Sequence, residues 1–308
     1  MTRLALFGHG RWGKAILRTL EGFPEVSVTV VGRGETPGAN VDGAIIATPV
    51  STHAELALPL IERGVPLLIE KPLTASVEEA NRLEAAAEKA DTLVQVGHIH
   101  LHNPAFMKVQ ELLPTLGRIR YLSFEGMNNG PARNDASVLW DWLPHPLSMT
   151  LRLVEAAPLS VQAWGINCLR PDTQALYDIG IVRYVFEGGA SLLCSVNWLS
   201  PEKRTKMTIV GETSSLVHTD TDAQKLVLYE GMGPAVDGMQ VTHQAPSVSY
   251  PAYGGGWPLE HELHAFIDAL QKGSRDRSEL AFGARIVRLI AAAHTSIETE
   301  GRAVTLNI

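Results

Sequence analysis

The stretch Leu4-Ala5-Leu6-Phe7-Gly8-His9-Gly10-Arg11-Trp12-Gly13, continued by Lys14-Ala15-Ile16-Leu17, decides how the chain folds. The apolar run from Leu4 to Gly8 reads as a buried strand, and Trp12 to Leu20 has the apolar spacing of a helix. Between them stands G-x-G-x-x-G, a pattern that is common by itself and informative only between a strand and a helix. In that setting Gly8 makes the tight turn, Gly10 lets the backbone approach a pyrophosphate, and Gly13 lets helix and strand pack closely. The N-terminus of the helix adds unpaired N–H groups that suit an anion. His9, Arg11 and Trp12 complete the loop and count with the glycines as candidate cofactor contacts. A tight turn that binds nothing is the competing reading.

Outward from the loop, short apolar runs alternate with helical ones, the pattern of βαβ units around a parallel sheet. Val26 to Val31, Ala44 to Thr48, Val65 to Glu70 and Thr92 to Gly97 read as strands. His53 to Arg63 and Ser76 to Ala90 read as helices, the second opened by Ser76 and Glu79 at capping-box spacing. Residues 1–117 are expected to form a Rossmann dinucleotide-binding domain. It should be abbreviated, because too few residues separate Arg33 from Ala44 for the usual second helix and third strand, and Pro37-Gly38 reads as a direct turn.

Residues 118–308 change texture, with runs of alternating polarity such as IRYLSFEG, DIGIVRYVFE and ASLLCSVNW. Gly188-Gly189 reads as a hairpin turn, since glycine accepts positive φ without steric cost. Helices are expected over Pro146 to Glu155, Pro258 to Gln271 and Leu280 to Glu300. The second domain is thus α+β, with an open, mostly antiparallel sheet for substrate binding and oligomerisation. Its uncovered face suits a second copy in a homodimer or homotetramer.

A formal charge of −7 leaves no basic field for a nucleic-acid backbone. Cys168 and Cys194 are the only cysteines and lack C-x-x-C spacing, so neither a disulfide framework nor a zinc site is expected. Glycines and basic residues break the first apolar run after Phe7, unlike a secretory leader, and no run approaches the length of a membrane span. The cytoplasm is the expected compartment, with no membrane partner.

The acid that binds the adenosine ribose belongs at the tip of the second strand, about 20 residues beyond the loop. The chain there reads Val31-Gly32-Arg33-Gly34-Glu35. Arg33 offers donors that suit a 2′-phosphate, which favours NADP over NAD. Two other readings stay open: Glu35 reaching the ribose hydroxyls, or Arg33 as a solvated charge. Ala47-Thr48-Pro49 ends a strand at the carboxyl edge of the sheet, His53 opens the next helix, and Glu70-Lys71-Pro72 ends the following strand on the same edge. These residues join the cofactor-binding candidates.

Together with VGHIHLHNPAF from Val96, WDWLPH from Trp140 and the terminal SIETEGRAVTL, these motifs resemble the glucose-fructose oxidoreductase and inositol dehydrogenase family (Gfo/Idh/MocA). The resemblance implies NAD(P)-dependent oxidation or reduction of a sugar or polyol, with Lys71, Asp141 and His145 at the reaction centre. Histidine titrates near neutrality, so His145 is the candidate base; Asp141 can hold its tautomer, and Lys71 can stabilise alkoxide charge. Pro144 and Pro146 indicate that the spacing between Asp141 and His145 is not helical, and a purely structural pair is the alternative. A sensor or regulator of the same fold without turnover is the rival function.

Weaker substrate candidates are His98, Trp140, Asn167 and Tyr253. His98, His100 and His102 alternate as on one face of a strand, yet no carboxylate or cysteine stands nearby, so no metal is expected. Ser148 and Met149 replace a further aspartate that the family often carries.

Overall fold

The computed structural model describes residues 1–38, 40–170, 176–231, 235–237, 240–242 and 245–307. Its backbone divides into two compact units, residues 1–102 with 256–291 and residues 103–255 with 292–308.

In the first unit β1 (Thr2–Phe7), β2 (Val26–Val31), β3 (Gly43–Ile46), β4 (Leu67–Glu70) and β5 (Val94–Gly97) form a parallel sheet in the order β2-β1-β3-β4-β5. Every residue of β3 and β4 is buried, as strands covered on both faces require. α1 (Arg11–Leu20), α2 (His53–Glu62) and α3 (Val77–Ala90) make the crossovers. Ser76 Oγ accepts the Glu79 N–H at the start of α3, while Glu79 returns to the N–H of Ala75 rather than of Ser76. The short path from β2 to β3 is as expected: β2 is the sheet edge, and Arg3 and Asp42 pin the connection through a bidentate ion pair. That pair holds the Asp42 carboxyl down at about 2, chiefly through the Arg3 side-chain hydrogen bonds.

α7 (Pro258–Gln271) returns to this unit, which corrects the expected division at residue 117. Leu263, Phe266 and Ile267 join Leu4, Leu6, Ile16, Leu20, Phe23 and Ile45 in one cluster, so α1 and α7 share a core. The cause is hydrophobic burial, which is indifferent to distance along the chain. α8 (Ser278–Glu298) follows. By length and mean hydropathy, 1.3, it passes the test for a membrane-crossing helix, although no uninterrupted apolar run in it approaches that length. Half of its most apolar stretch is buried, and it carries Arg285 and Arg288.

The second unit holds α4 (Pro104–Leu112), α5 (Val138–Trp142) and α6 (Pro144–Leu153). Its main sheet contains β6 (Ile119–Asn129), β7 (Pro158–Ile166), β8 (Ile179–Phe186), β9 (Ser191–Asn197), β10 (Leu199–Gly211), β11 (Ser214–Thr219) and β12 (Leu226–Glu230). β13 (Ala235–Asp237) and β14 (Gln240–Thr242) pair with each other, while β15 (Ser247–Ser249) and β16 (Val304–Thr305) close the two ends of the main sheet. The order is β15-β12-β11-β10-β6-β9-β8-β7-β16, antiparallel except for β6 with β9. Gly188 and Gly189 both take positive φ in the β8–β9 hairpin. Ala163, Val182, Cys194, Phe124 and Met207 line one buried face across neighbouring strands. Trp164, Ile181, Leu193 and Tyr121 lie on the opposite, exposed face.

Two local expectations need correction. After Gly97 the chain turns through a 3-10 segment over Ile99–His102, so the three histidines do not share a strand face. The Asn103 side chain accepts the Ala105 N–H at the start of α4, and the chain bends early to reach that cap. Asp141 and His145 lie on a nearly continuous helical path, because Leu143 and Leu147 donate to Leu139 and Leu143. Pro144 and Pro146 sit in the first turn of α6, where no intrahelical N–H is required.

If α7 is part of the first unit's core, Phe266→Ala should lower unfolding stability by about 3–5 kcal/mol. Chemical denaturation of the two proteins side by side measures it.

Candidate active site

The glycine loop follows from backbone contact. Gly8 has φ +96°, and a Cβ there would stand 2.4 Å from the Ala47 carbonyl oxygen; a Cβ on Gly13 would stand 1.9 Å from that of Gly8. Those two glycines seat α1 against the ends of β1 and β3. A Cβ on Gly10 would meet nothing within 4 Å, so the loop is open at the position where a pyrophosphate backbone contact is expected. No side chain caps α1, and His9, Gly10, Arg11 and Trp12 are exposed.

Ala47 and Thr48 are partly buried, and Pro49 is exposed before the 3-10 turn Val50–Thr52. His53 is buried, with Nδ1 3.0 Å from the Pro72 carbonyl oxygen and Nε2 3.0 Å from that of Thr48. It ties the Ala47-Thr48-Pro49 turn to the Glu70-Lys71-Pro72 turn. At the end of β4 the Glu70 carboxylate accepts the Trp12 indole N–H and, at 3.3 Å, the Lys71 backbone N–H. Burial pushes the Glu70 carboxyl up to about 7 against these donors and the Lys71 charge. Lys71 itself is partly exposed, and His98 is buried edge-on to Phe282.

At the tip of β2, Arg33 and Glu35 are both exposed. Glu35 Oε2 accepts the Gly32 N–H at 2.8 Å, closing its own turn.

Asp141 and His145 belong to the second unit, Lys71 to the first. Asp141 Oδ2 takes the Trp198 indole N–H at 3.4 Å, and Arg133 lies 3.8 Å from Oδ1. Arg133 is held in place by a bidentate pair with Asp135. The His145 ring meets the Trp142 ring edge-on, and Ser148 donates to the His145 carbonyl at 2.9 Å. Ser148 and Met149 are buried. Trp142 packs beside Phe124 and over Gly126, where a Cβ would stand 2.5 Å from the indole. Trp140 stacks on His294 at 5.9 Å. Asn167 follows β7, next to a segment that Asp178 holds through the Cys168 and Leu169 N–H groups. Tyr253 is partly buried in the segment before α7.

Sequence reasoning missed Arg133, Trp198, Ser137 and His294 around Asp141, and Glu262 beside Glu70. Only Glu262 left a signal, a carboxylate adjoining Leu263 and four residues before Phe266 on the apolar face of α7. Ser137 Oγ lies 2.9 Å from His294 Nε2, at the residue preceding α5.

A glycine loop opening onto an uncapped helix, at the carboxyl edge of a parallel sheet, defines a dinucleotide-binding protein with a second, sheet-based unit. Family models agree: "Oxidoreductase family, NAD-binding Rossmann fold" matches residues 33–98, and "GFO/IDH/MocA C-terminal domain" matches 106–217. The chain belongs to the Gfo/Idh/MocA oxidoreductase family. It is 36% identical over 129 residues to UDP-N-acetylglucosamine 3-dehydrogenase of Acidithiobacillus ferrooxidans, a match covering 42% of this chain and 41% of that one. With inositol 2-dehydrogenase of Mycolicibacterium gilvum it shares 28% identity over 273 residues, 85% of this chain and 74% of the relative. The crystal structure of GenD2 from gentamicin A biosynthesis in complex with NAD superposes with a TM-score of 0.80 at 22% identity, covering all of this chain and 97% of that one, a likeness of fold.

Burial holds the His294 imidazole down at about 4, below its ordinary 6.5. Between these values the unfolded chain binds a proton that the folded one refuses, so stability falls as pH drops from 6.5 through 4. His294→Gln should flatten that part of the acid limb, which thermal melts across the interval would show.

Proposed function

We propose that the chain is an NAD(P)-dependent oxidoreductase that moves a hydride between nicotinamide and a secondary hydroxyl or carbonyl of a sugar, cyclitol or related polyol derivative. The observation that carries this reading is the open backbone at Gly10, in a loop where Gly8 and Gly13 are closed by contact. Family relatives named as sugar and inositol dehydrogenases support the substrate class, and the NAD-bound neighbour of the same fold supports the cofactor class.

The dinucleotide, when bound, accepts or returns the hydride. Gly8, His9, Gly10, Arg11, Trp12 and Gly13 would hold its pyrophosphate, with Ala47, Thr48, Pro49 and Glu70 bordering the nicotinamide side and His53 holding two of those turns together. Oxidation of an alcohol must also remove the hydroxyl proton, and His145 takes it. Asp141, kept in place by the Trp198 indole and Arg133, orients the imidazole. The Lys71 ammonium stabilises the alkoxide as it forms. Trp140, Asn167, Tyr253 and His98 are the candidate contacts to the rest of the polyol. Two free thiols, Cys168 and Cys194, suit the reducing cytoplasm. The apolar face bearing Tyr121, Trp164, Ile181 and Leu193 suits a second copy of the chain, in a homodimer or homotetramer.

Incubating the enzyme with either reduced or oxidised cofactor and a polyol panel, followed by nicotinamide absorbance, tests the activity. Lys71→Met should reduce kcat/KM by on the order of 10²- to 10³-fold; a fully active variant removes Lys71 from the reaction.

Of the two cofactors, the strand tip suits NADP. Glu35 spends a carboxylate oxygen on the Gly32 N–H, while Arg33 stands exposed at the strand tip. NADPH should bind more tightly than NADH, and Arg33→Ala should narrow the difference in a calorimetric titration.

A further inference from the structure

Two carboxyl groups are buried in the core of the first unit. Glu70 is 8% exposed and Glu262, on α7, is 2% exposed. The Glu70 charge adds to burial in raising the Glu262 carboxyl. Their surroundings differ sharply. Glu70 receives the Trp12 indole N–H and the Lys71 backbone N–H, and lies against Gly97, where a Cβ would come within 3.1 Å of the carboxyl. Neither carboxyl oxygen of Glu262 has a hydrogen-bond partner among the described residues.

A buried carboxylate without donors costs several kcal/mol, and a second one beside it costs more through like-charge repulsion. Two ionised groups cannot both persist here. Glu70 has the donors and the neighbouring lysine, so it is the member that ionises; Glu262 has none, so it keeps the proton. We propose that Glu262 and Glu70 form a buried acid pair holding one proton on Glu262, which leaves the pair's negative charge on Glu70, beside Lys71, and makes Glu262 a positioning residue for that lysine.

Among the described residues, the charged groups acting on this pair are Lys71, next to Glu70 in the chain, and the two acids themselves, Glu70 and, from α7, Glu262; the Trp12 indole and Gly97, from α1 and β5, carry no charge. Burial raises both acids, Glu262 well above its ordinary range. When Glu70 takes up a proton on acidification, the negative charge beside Lys71 is removed, and the field at an alkoxide facing that lysine changes with it. This last step rests on the role proposed for Lys71; the location of the proton does not.

The test is a pH titration of full-length, cofactor-free protein labelled with carbon-13 at the glutamate carboxyls, followed by NMR, with Glu70→Gln and Glu262→Gln each deleting one signal for assignment. Glu70 should titrate near neutrality, and Glu262 should stay at the protonated-acid position throughout that range. Glu262→Gln, which keeps shape and neutrality, should leave the Glu70 transition in place. Trp12→Phe, which removes a donor to the charged form, should raise it by about one to two pH units. A Glu262 signal that titrates as an ordinary carboxylate, or a Glu70 transition that falls to the ordinary range in Glu262→Gln, overturns the pair. In kinetics, the acid limb of kcat/KM should follow the Glu70 transition in wild type and in Trp12→Phe; a limb indifferent to it overturns the link to Lys71. If no polyol is turned over, the proposed function fails while the carboxyl titration still decides the pair.

Discussion

Everything at the carboxyl edge of the first unit depends on how closely α1 approaches β1 and β3. No side-chain atom fits between Gly13 and the Gly8 carbonyl, or between Gly8 and Ala47, so the start of the helix is set by backbone against backbone. Once seated, the helix starts beside the open backbone of Gly10 and brings the Trp12 indole to Glu70, the residue before Lys71. His53 performs the matching task across the next two turns, with carbonyl oxygens of Thr48 and Pro72 at its two ring nitrogens. The glycine loop and the Glu70-Lys71-Pro72 turn are thereby parts of one rigid edge.

Much of this was legible in the sequence because its causes are local. Strand and helix periods around the loop, the Ser76 cap and the positive-φ glycines of the β8–β9 hairpin each depend on a few consecutive residues, and each is found where it was read. The shortage of residues after Arg33 translated directly into a five-stranded sheet with β2 at its edge. Where reading failed, the cause was distant in the chain. The return of α7 to the first unit depends on Phe266 meeting Leu4, Ile16 and Ile45, which no spacing announces. The prolines misled because the rule that they break helices lapses in a first turn, where Pro144 and Pro146 lie. The three histidines misled because a cap at the very next residue, Asn103, outweighs alternation.

The candidate site shows the same division. Lys71, Asp141 and His145 came from motif resemblance, and the chemistry of each can be argued from its type alone. Their supports could not be read, since Trp198 and His294 reach Asp141 and its helix from far away in sequence, while Arg133 comes from the irregular segment just before that helix, where no period marks its contact. Ser148 is instructive in a different way: standing where the motif resemblance led one to expect an acid, it turns back to the His145 carbonyl and takes part in the helix instead.

The exposed edge of β2 has a consequence for the protein as a colloid. With no described strand on its outer side, Val26–Val31 presents backbone N–H and C=O groups to solvent along a β-branched, uncharged segment, the kind of edge that recruits strands from other molecules. Glu25 stands immediately before that segment and Arg33 two residues after it, opposite charges bracketing the run as gatekeepers do. Arg33 therefore has a reason to be basic that owes nothing to any cofactor: it guards an edge that the shortened connection to β3 left uncovered.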